Sequence, residues 1–422
     1  MRVIYDISVL GLGLYTQRAN TGVSRFVDNL RLALAAEKEV DLYCCAFNTL
    51  EEFLQLRLNS DIITSLKDMS LCRPGHPVAK LVAGIFGGFY PTASPEYGHP
   101  LRRKILSKIL YAVNSFCGDC VPAELARGDV FHSTFYPLPA SVKGGTIKRF
   151  ITVHDLIPIL FPQFFGDEDV ALSRKIVASI GPEDWIVTNS VSTKNDLCSY
   201  AQIDPSRVFV TPLAASSRFS PCTDTQRLLS VKTRYGIPEE PYVLSVCTFE
   251  PRKNLDQVIR SFVQLVQEQK IDNLNLVLVG TKGWDFDRIF SAIEAASFLR
   301  ERIIVTDYVH DEDLGALYSD AMMFVYPSFY EGFGLPPLEA MQCGVPVITS
   351  NTSSLPEVVG NAGLLIDPTD GEALSQAMLD IYSQPFLRES LSGKSLERAR
   401  LFSWKTCAEL TVAAYRTALS AN

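Results

Sequence analysis

The stretch YEGFGLPPLEAMQCGVPVITS, residues 330–350, carries two carboxylates, Glu331 and Glu339, eight positions apart, with only glycines, prolines and apolar residues between them. The preceding MMFVYPS reads as a buried strand ending near Ser328, and Pro336-Pro337 suits the first turn of a helix. Gly344 then ends that helix before the strand VPVITS. Glu331 therefore falls in a strand-to-helix loop and Glu339 in the first turns of the helix, both near the mouth of a parallel sheet. Gly332 and Gly334 let backbone N–H groups approach a ligand closely, and a helix N-terminus favours an anion. Carboxylates beside them accept hydrogen bonds from paired hydroxyls. A molecule with both phosphate and polyol hydroxyls, such as a nucleotide sugar, satisfies all of these groups. The same residues also read as an ordinary helix start with dipole-favoured acids and structural glycines.

Outward from this segment, short β-branched runs alternate with helical patterns, the signature of βα units and parallel sheets. VIYDIS, VDLYCCAF, DVFHST, RFITVHD, DWIVTNS and RVFVTPL are the strand candidates of a first half. YVLSVCTF, LNLVLVG, RIIVTDYV, MMFVYPS and VPVITS are those of a second. Between them, residues 216–240 carry Ser220-Pro221 and Gly236-Ile237-Pro238 and read as a linker. The expected fold is α/β, two Rossmann-like doubly wound domains facing each other across a cleft at their strands' carboxyl ends. The boundaries are 1–215 for the amino-terminal domain and 241–403 for the carboxyl-terminal one. In SVCTFEPRKNL, Arg252 and Lys253 follow a strand and precede a helix from Leu255, a plausible diphosphate clamp. Solvated surface charge is the plain alternative.

The 422 residues are too many for one ordinary core, and 47% hydrophobic with 20% charged residues describes a folded globular protein. A net charge of −8 argues against nucleic acid as the partner. Most of the ten cysteines sit in apolar runs, as buried thiols of a reducing compartment do. Cys117 and Cys120 form one CxxC with no second pair, so zinc is not expected. MRVIYDISV lacks the apolar centre of a signal peptide, and no run reaches the ~20 apolar residues of a membrane helix. A cytoplasmic protein is expected, at most peripheral at the inner face of the membrane. Residues 101–113, LRRKILSKILYAV, form an amphipathic pattern that fits either a membrane-surface helix or one packed on its own domain.

With these motifs assembled, the chain resembles glycosyltransferase family 4, retaining enzymes of the GT-B fold, and is similar above all to bacterial mannosyltransferase-type members. The resemblance covers almost the whole length. It rests on Glu331 to Glu339, TFEPRKNL, LVLVGTKGW, SSLPEVVGNAGLLIDP, ITVHDLIP, TGVSRFVDNL and FSWKTCAE. It implies that Glu339 binds the ribose hydroxyls of the donor and Glu331 the donor sugar, with the amides of Phe333 and Gly334 and the neighbouring Leu335 lining the donor site. It further implies that Arg252 and Lys253 neutralise the diphosphate, that Gly22 approaches the donor phosphate or the acceptor, and that His154 lies near the transferred sugar as a base or a hydrogen-bond donor. Leu355 and Glu357, in the next loop, would shape the donor pocket, and the helix at about 404–419 would cross back onto the first half. Many family members have Gly-Arg where this chain has Cys247-Thr248, and Arg252 is the candidate substitute.

The implied reaction moves a hexose, mannose from GDP-mannose as first candidate, to a hydroxyl of a glycan or lipid-linked glycan in surface-polysaccharide biosynthesis. Preorganised cations and helix-end amides stabilise the leaving diphosphate in place of a metal or other cofactor. The acceptor attacks from the face the phosphate leaves, and no protein nucleophile is demanded. The triplets Asp167–Asp169, Asp285–Asp287 and Asp311–Asp313 could hold a divalent ion, but each lies in a polar loop or at a helix start, where capping accounts for it. The alternatives are another GT-B enzyme, such as a sugar-nucleotide epimerase or glycan phosphorylase, and a catalytically inactive binding subunit. A dinucleotide oxidoreductase fits poorly, because Gly11-Leu12-Gly13 lacks the third glycine of the fingerprint.

Overall fold

A computed structural model describes residues 1–11, 22–48, 56, 70–71, 77–78, 81, 108, 123–143, 145–283 and 286–421. The CxxC and, Lys108 apart, the amphipathic stretch at 101–113 lie outside the described residues, as do Leu12 and Gly13. In the first half, β1 (Arg2–Asp6), β2 (Asp41–Cys45), β3 (Ser70–Leu71), β4 (Val130–Ser133), β5 (Lys148–Val153), β6 (Trp185–Thr188) and β7 (Val208–Val210) form one sheet in the order β3-β2-β1-β4-β5-β6-β7. In the second, β8 (Tyr242–Val246), β9 (Asn275–Val279), β10 (Ile303–Val305), β11 (Met323–Tyr326), β12 (Val347–Ser350) and β13 (Gly363–Ile366) run β10-β9-β8-β11-β12-β13. Every recorded strand pair is parallel. Two sheets of this kind, each with its order reversing beside its first strand, are the two Rossmann-like halves of the GT-B fold.

The strand sequences explain their place. NLVLV of β9, MFVY of β11 and VITS of β12 are buried at every position, as strands covered on both faces must be. The helices that cover them carry one apolar stripe: α3 (Leu255–Glu268) buries Leu255, Val258, Ile259, Phe262, Leu265 and Val266, the i, i+3, i+4 spacing of one face. The other elements that frame the cleft are α1 (Gly22–Ala35), α2 (Val191–Ala201), α4 (Asp311–Asp320), α5 (Leu335–Gln342), α6 (Leu355–Val359) and α7 (Trp404–Ser420).

Residues 216–240 are more than a plain connection. They contain the helix Thr225–Arg234, started by the Asp224 carboxylate, which accepts from the amides of Gln226 and Arg227. Arg227 and Arg234 pair with buried Asp313 at 2.7 and 2.6 Å, and the Tyr235 hydroxyl donates to it at 2.9 Å. At the other end of the chain α7 packs on α1 in the first half. Tyr415 lies 2.6 Å from His132 Nδ1 in that core, whose other ring nitrogen is 2.8 Å from Thr152, and Lys148 holds the Ala421 carbonyl at 2.8 Å.

Candidate active site

The segment 330–335 begins where β11 ends. Gly334 at φ +116 and the following prolines set the start of α5, and Gly344 at φ +78 ends it. Gly332 admits no side chain: a Cβ there would lie 2.6 Å from the His154 carbonyl oxygen, which belongs to the other half. Its own carbonyl accepts from Ser190 Oγ at 2.7 Å, and Tyr330 donates to Asp196 at 2.8 Å. The loop bearing Glu331 is thus seated against the segment after β5 and the start of α2, and the two halves meet at the site.

Glu331 is enclosed by cations. Oε1 accepts from Lys253 Nζ at 2.6 Å and from the Tyr326 hydroxyl at 2.8 Å, while Oε2 lies 2.9 Å from Arg252 Nη1. Burial would raise its pKa, but Arg252 and then Lys253 outweigh burial and hold it at about 2. Arg252 also donates to Glu250 at 2.6 Å and to the Tyr330 carbonyl at 2.6 Å. Arg252, Glu250 and Glu331, all buried, and the half-buried Lys253 form a charge-balanced quartet at the carboxyl ends of β8 and β11, so the cations are not the solvated pair the sequence allows. Glu250, one residue before the Pro-Arg-Lys turn, escaped the sequence reading because its role is to hold Arg252 in place. The preceding Cys247, where the resembled family carries a glycine-arginine pair, is a neutral thiol whose pKa burial pushes up to about 12.

Glu339 meets the opposite environment. It is buried in α5, its Oε1 3.2 Å from Arg25 Nη1 and its Oε2 3.2 Å from the Tyr318 hydroxyl. Burial raises its pKa to about 7, with Arg25 opposing. His154 Nε2 lies 2.9 Å from the Thr134 carbonyl oxygen. A carbonyl only accepts, so Nε2 carries the proton and Nδ1 keeps its lone pair. Burial lowers the ring's pKa to about 4. Of the two roles left open for His154, base and hydrogen-bond donor, this tautomer suits the base or an acceptor of a hydroxyl.

Gly22 opens α1 directly across from α5, where a Cβ would stand 3.8 Å from Leu335 Cδ1. Phe333 turns its ring into the core, 5.9 Å from Phe402, so only its backbone can serve a ligand. Leu355 and Glu357 depart from expectation. They form the short helix α6, not a loop, and Leu355 is fully buried, 2.8 Å from where a Cβ of Gly334 would stand. Glu357 accepts the amides of Val191 and Ser192 at 2.8 and 2.6 Å, so it ties the halves together by capping α2.

Two of the aspartate triplets also differ from expectation, and Asp285 of the third lies outside the described residues. Asp167–Asp169 and Asp311–Asp313 occupy first turns whose N-caps are Gly166 and His310, so they do not cap. Capping needs the residue just before the helix. Asp311 instead pairs with Arg25 and Arg218, each at 2.9 Å, and Asp313 with the linker arginines. Among the described residues no group of three or more His, Cys, Asp or Glu is placed to hold a metal.

A carboxylate, two cations and a helix start at the facing ends of two Rossmann-like sheets define a GT-B glycosyltransferase-like site. The Glycosyl transferases group 1 model matches residues 231–398. The chain is 35% identical over 289 residues to O-antigen chain mannosyltransferase B of Escherichia coli, covering 68% of this chain and 74% of that protein. It is 30% identical over 294 residues to the E. coli serotype-specific mannosyltransferase WbdA, 69% of this chain but 36% of WbdA, so it spans about a third of that protein. Its fold is similar to that of Anabaena HepE in complex with UDP and glucose, with a TM-score of 0.62 at 14% identity over 99% of this chain and 100% of HepE. The chain belongs to the group 1 glycosyltransferases.

Proposed function

We propose that the chain is a retaining hexosyltransferase of surface-polysaccharide assembly that moves mannose from GDP-mannose to a hydroxyl of a glycan or lipid-linked glycan, without a metal. The observation that carries the reading is the Arg252, Lys253 and Glu331 cluster beside the α5 N-terminus, with Glu339 one helical turn further on. The mannosyl choice follows the two E. coli relatives, both mannosyltransferases by name.

In this reading the diphosphate settles against Lys253, Arg252 and the amides at the start of α5, and the ribose hydroxyls donate to Glu339. Charge grows on the diphosphate as the sugar–phosphate bond breaks, so fixed donors there favour the transition state over the bound donor. The acceptor hydroxyl approaches on the same face, and a phosphate oxygen takes its proton as the new glycosidic bond forms. His154 Nδ1 accepts a hydroxyl of the transferred sugar. The protein works at the cytoplasmic side, at most peripheral to the membrane; no helix among the described residues is long and apolar enough to cross one.

The test is a thermal-shift series in EDTA with GDP, UDP, ADP and their sugar conjugates, since a ligand at ~100 times its Kd adds ~2.7 kcal/mol of stability. Stabilisation by GDP and GDP-mannose is expected. An unmoved transition with all of them would overturn the donor-site reading. The anomeric configuration of the product, read by NMR, tests retention.

A further inference from the structure

Arg25 stands in the first turn of α1, on the half opposite the two glutamates, yet its guanidinium crosses the cleft. Nη1 donates to Glu339 Oε1 at 3.2 Å and Nη2 to Asp311 Oδ1 at 2.9 Å. Asp311 Oδ2 in turn accepts from Arg218 of the linker at 2.9 Å. One side chain of the first half thus holds two carboxylates of the second. The apolar anchoring of α1 does not depend on it: Phe26, Val27, Leu30 and Leu34 are buried in the core.

What Arg25 does to Glu339 is chemically specific. Each carboxylate oxygen has two acceptor directions. Arg25 takes one on Oε1 and Tyr318 one on Oε2, leaving one free on each oxygen, the arrangement a vicinal diol requires. Only the ionised acid offers both.

We propose that Arg25 belongs to the nucleotide site as a positioning residue: supplied across the cleft by the first half, it orients the ribose-binding carboxylate and favours its ionised form when the halves are closed. This rests on the assignment of Glu339 to the ribose hydroxyls. Donor binding and closure are then coupled, because opening withdraws the cation from a buried acid and closure restores it. The groups facing Glu339 are Arg25 from α1, Arg218 from the linker, Asp311 and Tyr318 from α4, and Cys343 at the end of its own helix. Arg25 is the largest influence opposing burial, which sets the pKa at about 7. Donor affinity therefore rises with pH through about 7 and levels off above it.

The experiment is calorimetric titration of the wild type, Arg25→Gln, Arg25→Lys and Asp311→Asn with GDP, UDP and ADP from pH 6 to 9, alongside thermal denaturation of each. Arg25→Gln should weaken binding of the recognised nucleotide at least ~10-fold at pH 7, with a midpoint displaced upward so that the defect shrinks by pH 9. In turnover its donor KM should rise far more than kcat falls. Arg25→Lys, which keeps the charge, should keep the wild-type midpoint, and Asp311→Asn should stay within ~3-fold of wild type. Equal affinity of Arg25→Gln and wild type across the pH range overturns the inference. So does a pH-independent loss shared with Asp311→Asn, the mark of a purely structural tie. If Arg25→Gln does not fold, an Arg25→Lys midpoint displaced from wild type overturns it. A wild type that binds none of the three nucleotides overturns the donor-site reading beneath it, whereas binding that ignores Arg25 overturns this inference alone.

Discussion

Glu331 and Glu339 lie eight residues apart in one loop-helix segment, both buried and both glutamate, yet their pKa values shift in opposite directions from that of an ordinary glutamate. Glu331 has two cations within 3 Å and a pKa near 2. Glu339 has one cation, shared with Asp311 and drawn from the other half, and a pKa near 7. Burial works the same way on each, so the number and ownership of the cations decide. The pair at Glu331 is made within the second half. The pair at Glu339 is made between the halves.

The linkage to stability has opposite signs. Glu331, depressed in the folded state, stabilises above its unfolded pKa, and that contribution is lost as pH falls through about 2. Glu339, raised when folded, is best tolerated below its unfolded pKa, and stability drains away as pH rises through about 7.

The strongest way to break the contrast is to remove the cations of the first site. Arg252→Ala with Lys253→Ala leaves Glu250 and Glu331 buried without their cations. Turnover should fall at least ~100-fold, and the double variant should lose ~3–5 kcal/mol of stability in denaturant unfolding. Near-normal turnover would place the diphosphate elsewhere.

Next in size is Glu339→Gln. Its stability relative to wild type should grow by ~2 kcal/mol between pH 5 and pH 8, because it deletes the charge the wild type must bury there. Donor affinity should drop ~10-fold at pH 8 while the drop nearly vanishes at pH 6. A stability difference that stays flat with pH would show that Glu339 does not titrate near 7. The smallest effects come from the two tyrosines. Tyr318→Phe removes one of two bonds to Glu339 and should weaken nucleotide binding ~3–10-fold at pH 7. Tyr326→Phe removes a bond from an acid already held by two cations and should change it less than ~3-fold. Reversal of that order would mean that the cations do not dominate at Glu331.

Much of this was legible in the sequence. The strands of both halves other than β3 and β13, the turn at Gly344, the loop position of Glu331 and the helical position of Glu339 follow from local periodicity and from residues with fixed backbone preferences. So does the Arg252-Lys253 turn ahead of α3. Glu250 was not, because a carboxylate two residues from an arginine reads as loop polarity until both are seen to be buried. Asp311 and Asp313 read as caps, whereas their arginine partners stand 79 to 286 residues away. Glu357 read as a loop residue, whereas it lies in a short helix and caps a helix of the other half, 165 residues distant.

The sequence by itself determined the central strands of the two sheets, their order along the chain and which residue types gather at the strand ends, since these depend on neighbours within a few positions, but not the edge strands β3 and β13. Only the tertiary structure decided which acid holds its proton more tightly, which histidine nitrogen is free and that Arg25 reaches Glu339. Those outcomes depend on burial and on charges a few ångströms away in space, contributed by segments up to 314 residues apart in the chain, and no local pattern encodes that distance.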